Sequence, residues 1–377
     1  MNDPLADRTA DIFLKNEKVS AMLREIDRDG LLVLEPANFA WLTAGASAKG
    51  IADPAEHPAL YLQGPQRWLL CSNVDTQRLF DEELDGLGFG LKEWTWHSGR
   101  GRLLSDLVHG KKAACDMPFN DCENVGERLR QPRRILSAWE QERLRELGLA
   151  VAHAVEATCR NLERGDTEEE TAGQLSHRLV HHGIQPLTIQ VSADGRKRTY
   201  RRGGATPAKI DQSCVVQTTA RRWGVHVTAS RAVCFGTAPD DFRKEFDMAC
   251  WVSAMQIASS TARTKPGDIL TTSSGVLRLG GFEHEWRYCP VGWLTGLSAV
   301  ESMFTPTESL EPLEAGHAVV WQASIGAAAA ADTALVTETG PQIITAPAPG
   351  LWPVRRIKVA SVWVDRPDLL VRGEPAG

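Results

Sequence analysis

Apolar residues Leu144, Leu147, Val151, Val155, Cys159 and Leu162 recur at the spacing of one helix face until Gly165 ends the run, and a short distance later the period changes altogether. That change constrains the fold more than any other feature. Thr167 and Glu170 form the pattern of a capping box, in which the hydroxyl accepts from the third helical amide and the glutamate reaches back to the cap amide, so a second helix is expected to about His182, with Gly183 as its left-handed stop. From Leu187 onward the apolar residues come in short runs, 187–191, 214–219 and 225–235, with Asp194-Gly195 and Trp223-Gly224 at the turns. A further helix is marked by Phe242, Phe246, Trp251 and Met255, and a turn by Lys265 to Asp268. Closing strands are read at 318–324, 334–337 and 342–345, with an alanine run at 327–331 as the one low-complexity tract. Helices, strands, helix, strands is the order of an α+β fold.

A chain of 377 residues exceeds one ordinary core, so at least two domains are expected. The opening third mixes both periods. Val19, Met22, Leu23 and Ile26 predict a helix over 18–26. Gly30 stops it before the buried-strand run Leu31 to Leu34, and Ala59 to Gln63, Gly64-Pro65 and Trp68 to Cys71 read as strand, turn, strand. Pro132 lies in the basic, turn-prone stretch Gln131 to Arg134 just ahead of the long helix, which places the expected boundary between domains 1–133 and 134–377.

A net charge of -6 supplies no basic field for phosphates, which argues against a nucleic-acid partner. No run approaches the roughly 18 apolar residues of a membrane span, and Met1-Asn2-Asp3-Pro4 lacks the basic flank of a secretion signal, so a cytoplasmic location away from membranes is expected. The eight cysteines contain no pair at two-residue spacing, so buried free thiols are the default. His177 and His181 are four apart but lack a neighbouring carboxylate in the metal-binding context, and the bland reading, histidines complementing a helix end, is the stronger one. The cluster Arg196-Lys197-Arg198 with Arg201-Arg202 reads first as a solvated loop and second as an anion-binding corner.

Several stretches carry a resemblance. Asn38-Phe39-Ala40-Trp41-Leu42-Thr43 is similar to an Asn-x-x-Tyr-Leu-Thr segment. Gly224-Val225-His226-Val227-Thr228-Ala229-Ser230-Arg231 is similar to a Gly-Tyr-x-x-Asp-x-Thr-Arg strand. Gly292-Trp293-Leu294-Thr295-Gly296-Leu297 with Glu301 is similar to a Gly-His-Gly-Ile-Gly-Leu loop and its later glutamate, and Asp332-Thr333 is similar to a Glu-Asp-Thr ending. In this order over most of the chain they resemble the creatinase/aminopeptidase P superfamily. The resemblance implies a small N-terminal creatinase-like α/β domain, a C-terminal pita-bread domain, and a homodimer.

In that family two aspartates eleven apart, one histidine and two glutamates hold two divalent ions. Carried over, these positions fall on Gln217, Thr228, Trp293, Gln322 and Ala331, so no anionic or imidazole ligand remains and neither a metal nor another cofactor is expected. The expected function is therefore that of a pseudoenzyme whose pocket, with candidates Tyr200, Arg201, Arg202, Gln217, Thr228, Trp293 and Gln322, binds a small molecule or short peptide. Two alternatives stay open: a metal-independent hydrolase or lyase acting on a C-N bond, with Glu301 as the weak catalytic candidate, and, behind it, an active metalloaminopeptidase. Trp293 either lines the former metal pocket or fills it.

Overall fold

In a computed structural model the chain forms two compact units, Met1–Glu140 and Gln141–Gly377. The structure describes residues 4–306 and 311–373, so Met1 to Asp3, part of the N-terminal reading above, lie outside the described residues.

The first unit contains, in chain order, α1 (Pro4–Glu25), β1 (Gly30–Val33), α2 (Pro36–Leu42), β2 (Ala59–Gln63), β3 (Gln66–Ser72), α3 (Thr76–Arg78), β4 (Gly90–Trp94), α4 (Gly101–Val108), β5 (Ala113–Cys115), β6 (Glu123–Asn124) and α5 (Gly126–Arg134). Its strands make one mixed sheet in the order β4-β3-β2-β1-β5-β6. Leu32, Tyr61, Leu70, Trp94 and Leu104 fill its core. α1 is far longer than the 18–26 stretch that the apolar spacing marks, because Lys15 on its inner face is buried as an ion with Asp11 and Glu140, each at 2.5 Å, where a period count sees only a charge. Pro132 sits inside α5 and does not end it. The next residue, Arg133, is buried and donates to Asn38 Oδ1 at 2.5 Å, while Asn38 Nδ2 donates to Asp116 Oδ2 at 3.0 Å. The Asn38 segment is thus structural cement for this unit.

The second unit contains α6 (Ala138–Asn161), α7 (Glu168–His181), β7 (Gln185–Ala193), β8 (Ser213–Arg222), β9 (Val225–Phe235), α8 (Asp240–Ala258), α9 (Pro266–Leu279), β10 (Gly292–Thr295), β11 (Ser302–Met303), β12 (Ala318–Ile325), β13 (Ala328–Thr337), β14 (Gly340–Ile343), β15 (Val354–Val359), β16 (Val362–Pro367) and β17 (Leu370–Arg372). The Thr167/Glu170 capping box opens α7 as expected. Trp223 and Gly224 take φ of 51° and 76°, the paired left-handed geometry that lets a two-residue hairpin follow the strand twist between β8 and β9. The alanine run becomes part of β13, since its small side chains let β12 and β13 pack closely under Phe242, Phe246 and Ala249 of α8. Burial overrides the helical preference of alanine here.

Two sheets result, β17-β9-β8-β7 and β11-β10-β12-β13-β14. They join where β9 meets β13, through side chains and not through a ladder. Thr333 Oγ1 accepts from the Thr228 N–H at 2.8 Å and donates to the Thr228 carbonyl at 2.9 Å, and the Ala331 N–H donates to Ser230 Oγ at 2.7 Å. Beside this seam Arg231, fully buried, donates to Glu156 at 2.9 Å, to Asp332 at 3.2 Å and to the Thr345 carbonyl at 2.8 Å. Arg366 closes the group on the other oxygen of Asp332. Two arginines and two carboxylates balance, which is what burial of charge requires.

Arg231→Met should therefore cost about 3–5 kcal/mol, because it strands Glu156 and Asp332 without their shared cation. Thr167→Ala should cost only about 1 kcal/mol, the usual loss of a cap. Urea unfolding of both variants checks the contrast.

Candidate functional site

The β8–β9 and β12–β13 hairpins carry four of the five positions singled out by the resemblance, Gln217, Thr228, Gln322 and Ala331, and the structure brings two of them into direct contact. Gln217 Nε2 donates to Gln322 Oε1 at 2.6 Å, and Gln322 Nε2 donates to Cys289 Sγ at 2.8 Å. Two carboxylates at that separation would repel, whereas two amides pair donor to acceptor. Thr228 spends its hydroxyl on Thr219 Oγ1 at 2.9 Å and its backbone on Thr333, so it serves the seam. Trp293 lies on β10 opposite Val320 and Met303, and is buried. Ala331 pairs across the ladder with Gln322.

Both Gln217 Oε1 and Trp293 Nε1 are buried without a hydrogen-bond partner. Such orphans are uncommon in folded proteins and mark places where another group belongs. One is an acceptor and the other a donor only. Neither indole nor a pair of neutral amides fits a pair of dications, whose mutual repulsion needs anionic ligands. Among the described residues no group of three or more histidine, cysteine, aspartate or glutamate side chains stands together as a metal site.

The basic loop divides. Tyr200 and Arg202 are exposed, and Tyr200 packs its ring under Arg196 at 5.2 Å. Arg201 turns inward, with its guanidinium 2.7 Å from Glu285 and donating to the Gly326 carbonyl at 3.0 Å. Lys197, read from the sequence as part of a solvated loop, is only 2% exposed, and its ammonium donates to the Arg201 carbonyl at 3.0 Å. Burial lowers its pKa to about 8, with Cys289 close enough to oppose the shift. The sequence marked Lys197 only as one of a basic cluster and did not single out Cys289 or Glu285 for this site, because nothing in their local spacing shows that they are buried.

Glu301 is buried, and its carboxylate accepts from the Ser298 N–H at 2.9 Å while its own N–H donates to the Leu294 carbonyl at 2.8 Å. It clasps the loop that follows Trp293. The same loop is held from β9, where His226 Nδ1 and the His226 backbone N–H both lie 2.9 Å from the Gly296 carbonyl. This contact needs a protonated Nδ1. His177 and His181 stack along α7 at 6.0 Å.

Searches with the sequence match no family model and no curated protein. Solved structures do match. The prolidase from Pyrococcus horikoshii superimposes with a TM-score of 0.76 at 14% identity, over 89% of this chain and 99% of that one. The dipeptidase PepE from Mycobacterium ulcerans gives 0.74 at 16% identity, over 97% and 99%. The chain has the pita-bread α+β fold of these prolidase and dipeptidase structures. The N-terminal domain of a FACT complex subunit from chickpea, Cicer arietinum, also has this fold, with a TM-score of 0.67 at 9% identity over 90% of this chain and 97% of that domain. No helix among the described residues is long and apolar enough to cross a membrane.

Burial lowers the pKa of His226 to about 4, well under its value of about 6.5 in an unfolded chain. The unfolded state then binds a proton that the native state refuses, so stability is full above about pH 7 and falls by up to about 3 kcal/mol as pH drops from about 6.5 to about 4. His226→Asn keeps a donor toward Gly296 and removes the titration. Denaturation midpoints measured from pH 8 downward should fall less steeply for that variant than for the parent, and parallel curves would remove His226 as the cause.

Proposed function

We propose that this chain is a non-peptidase protein of the pita-bread fold, a pseudoenzyme in which the polar centre around Gln217, Trp293 and Gln322 receives a small molecule or short peptide in place of a dinuclear metal site. The supporting observation is the pair of buried orphans. Gln217 Oε1 calls for a donor and Trp293 Nε1 calls for an acceptor, and an amide or peptide unit carries both. The fold alone does not dictate peptide cleavage, since one neighbour of equal coverage is a domain of a complex subunit.

The reading of Glu301 as a lone catalytic base gains nothing from the geometry, because its carboxylate is already committed to the Ser298 amide. A metal-independent hydrolase or lyase would need a proton carrier from outside the inherited positions.

The test begins with protein purified without chelator, its metal content, and its melting temperature with calcium, manganese, zinc or cobalt. We expect no stoichiometric metal, no upward shift, and no cleavage of Xaa-Pro dipeptides. Amino-acid amides and short peptides, screened the same way, should raise the melting temperature, since a ligand at about 100 times its Kd adds about 2.7 kcal/mol to native stability. Gln217→Leu and Trp293→Phe should each abolish that shift. One or two bound metals per chain with Xaa-Pro hydrolysis would overturn the proposal.

A further inference from the structure

Backbone bonding of β12 on the β10 side ends at the Gln322 N–H, which donates to the Val291 carbonyl at 2.9 Å, and residues 323–325 keep their ladder only with β13. Beside that uncovered stretch lies a cavity of about 760 Å³, bounded by α8, α9, the 283–291 segment and the end of β12. Its volume is that of a small-molecule site. Its wall is more apolar than polar, with Leu270, Val291 and Phe304 among the apolar members and charged side chains of both signs, Arg278, Arg287 and Glu283, among the others. None of these belongs to the inherited metal positions.

Two neutral polar side chains of the wall are buried with an atom left without a partner. Gln256, fully buried on α8, donates through Nε2 to Ser273 Oγ at 3.2 Å, while its Oε1 has no partner. Ser273 in turn donates to the Ile269 carbonyl at 2.8 Å, so the amide is held by α9 and its oxygen is left as an acceptor. Ser324 Oγ, on β12, is likewise buried and without a partner. A buried acceptor without a donor has lost its water and gained nothing in exchange, a cost that a ligand hydrogen bond would remove.

We propose that this cavity is a binding site for a mainly apolar, uncharged small molecule that carries an N–H or O–H donor for Gln256 Oε1. It stands apart from the proposal for the polar centre, although Cys289 lines this cavity and also accepts from Gln322. Cys289 is the one cysteine among those lining it, which makes it a chemical reporter of access.

The experiment uses the whole chain and N-phenylnaphthylamine, an apolar fluorophore with a single N–H donor. Saturable one-to-one binding is expected, with phenylnaphthalene, which lacks the donor, competing about tenfold more weakly. Gln256→Leu should weaken N-phenylnaphthylamine about tenfold and erase its advantage over phenylnaphthalene. Ser274→Trp, at an exposed position of α9 on the cavity rim, should abolish binding with the fold intact by circular dichroism. N-phenylmaleimide should label Cys289, and bound fluorophore should protect it, while the half-buried Cys122 of the first unit reacts regardless. No saturable binding, binding that Ser274→Trp leaves unchanged, or labelling of Cys289 indifferent to the fluorophore would each overturn the site. Retained binding with no preference for the donor in the parent protein would overturn the role of Gln256.

Discussion

The salt-bridged group of Arg231, Glu156, Asp332 and Arg366 is the constraint on which the second unit rests. It ties α6, β9, β13 and β16 together at one point, and each member is buried too deeply to keep a charge without the others. Such a group adds little net stability over an apolar core, but it tolerates no partial assembly. The register of β9 against β13 is therefore decided, and with it the Thr228–Thr333 and Ser230–Ala331 contacts that seam the two sheets. Everything at the polar centre hangs from that register.

Arg231, Asp332 and Thr333 are the residues through which the motifs quoted from the sequence enter this frame, and all three are structural. Gln217, Gln322 and Trp293 are neutral, and they lie where nothing in the fold demands a carboxylate or an imidazole. The backbone frame persists because its buried charges need one another. At its centre an amide pair closes the Gln217–Gln322 gap with a 2.6 Å hydrogen bond. Gly292 illustrates how tightly that frame is packed: a Cβ there would fall 2.4 Å from the Trp321 ring.

Burial of charge is where reading the chain by pattern stops working. Lys15, Arg133 and Lys197 all look like surface residues in sequence, and all three are buried, the first two against a carboxylate and an amide from distant segments and Lys197 on the Arg201 carbonyl of its own loop. In Lys197 the consequence reaches the site, because a lysine whose pKa burial has lowered to about 8 stands beside Cys289 and Arg201. The Gln256 cavity was equally invisible, since its wall is assembled from α8, α9, the 283–291 segment and the end of β12.

The sequence by itself determined the α+β class, the capping box at Thr167, the hairpin at Trp223-Gly224, most strand positions, and the neutral residue types at Gln217, Thr228, Trp293, Gln322 and Ala331. These are local or positional properties, carried by turn chemistry, periodicity and residue type. Tertiary structure alone decided which polar groups meet. It set Gln217 against Gln322, left Gln217 Oε1 and Trp293 Nε1 without partners, turned Arg201 inward while Tyr200 and Arg202 face out, and opened space beside Gln256. The physical reason is that hydrogen bonds and desolvation depend on what distant segments bring to within a few ångströms, and no spacing along the chain records that.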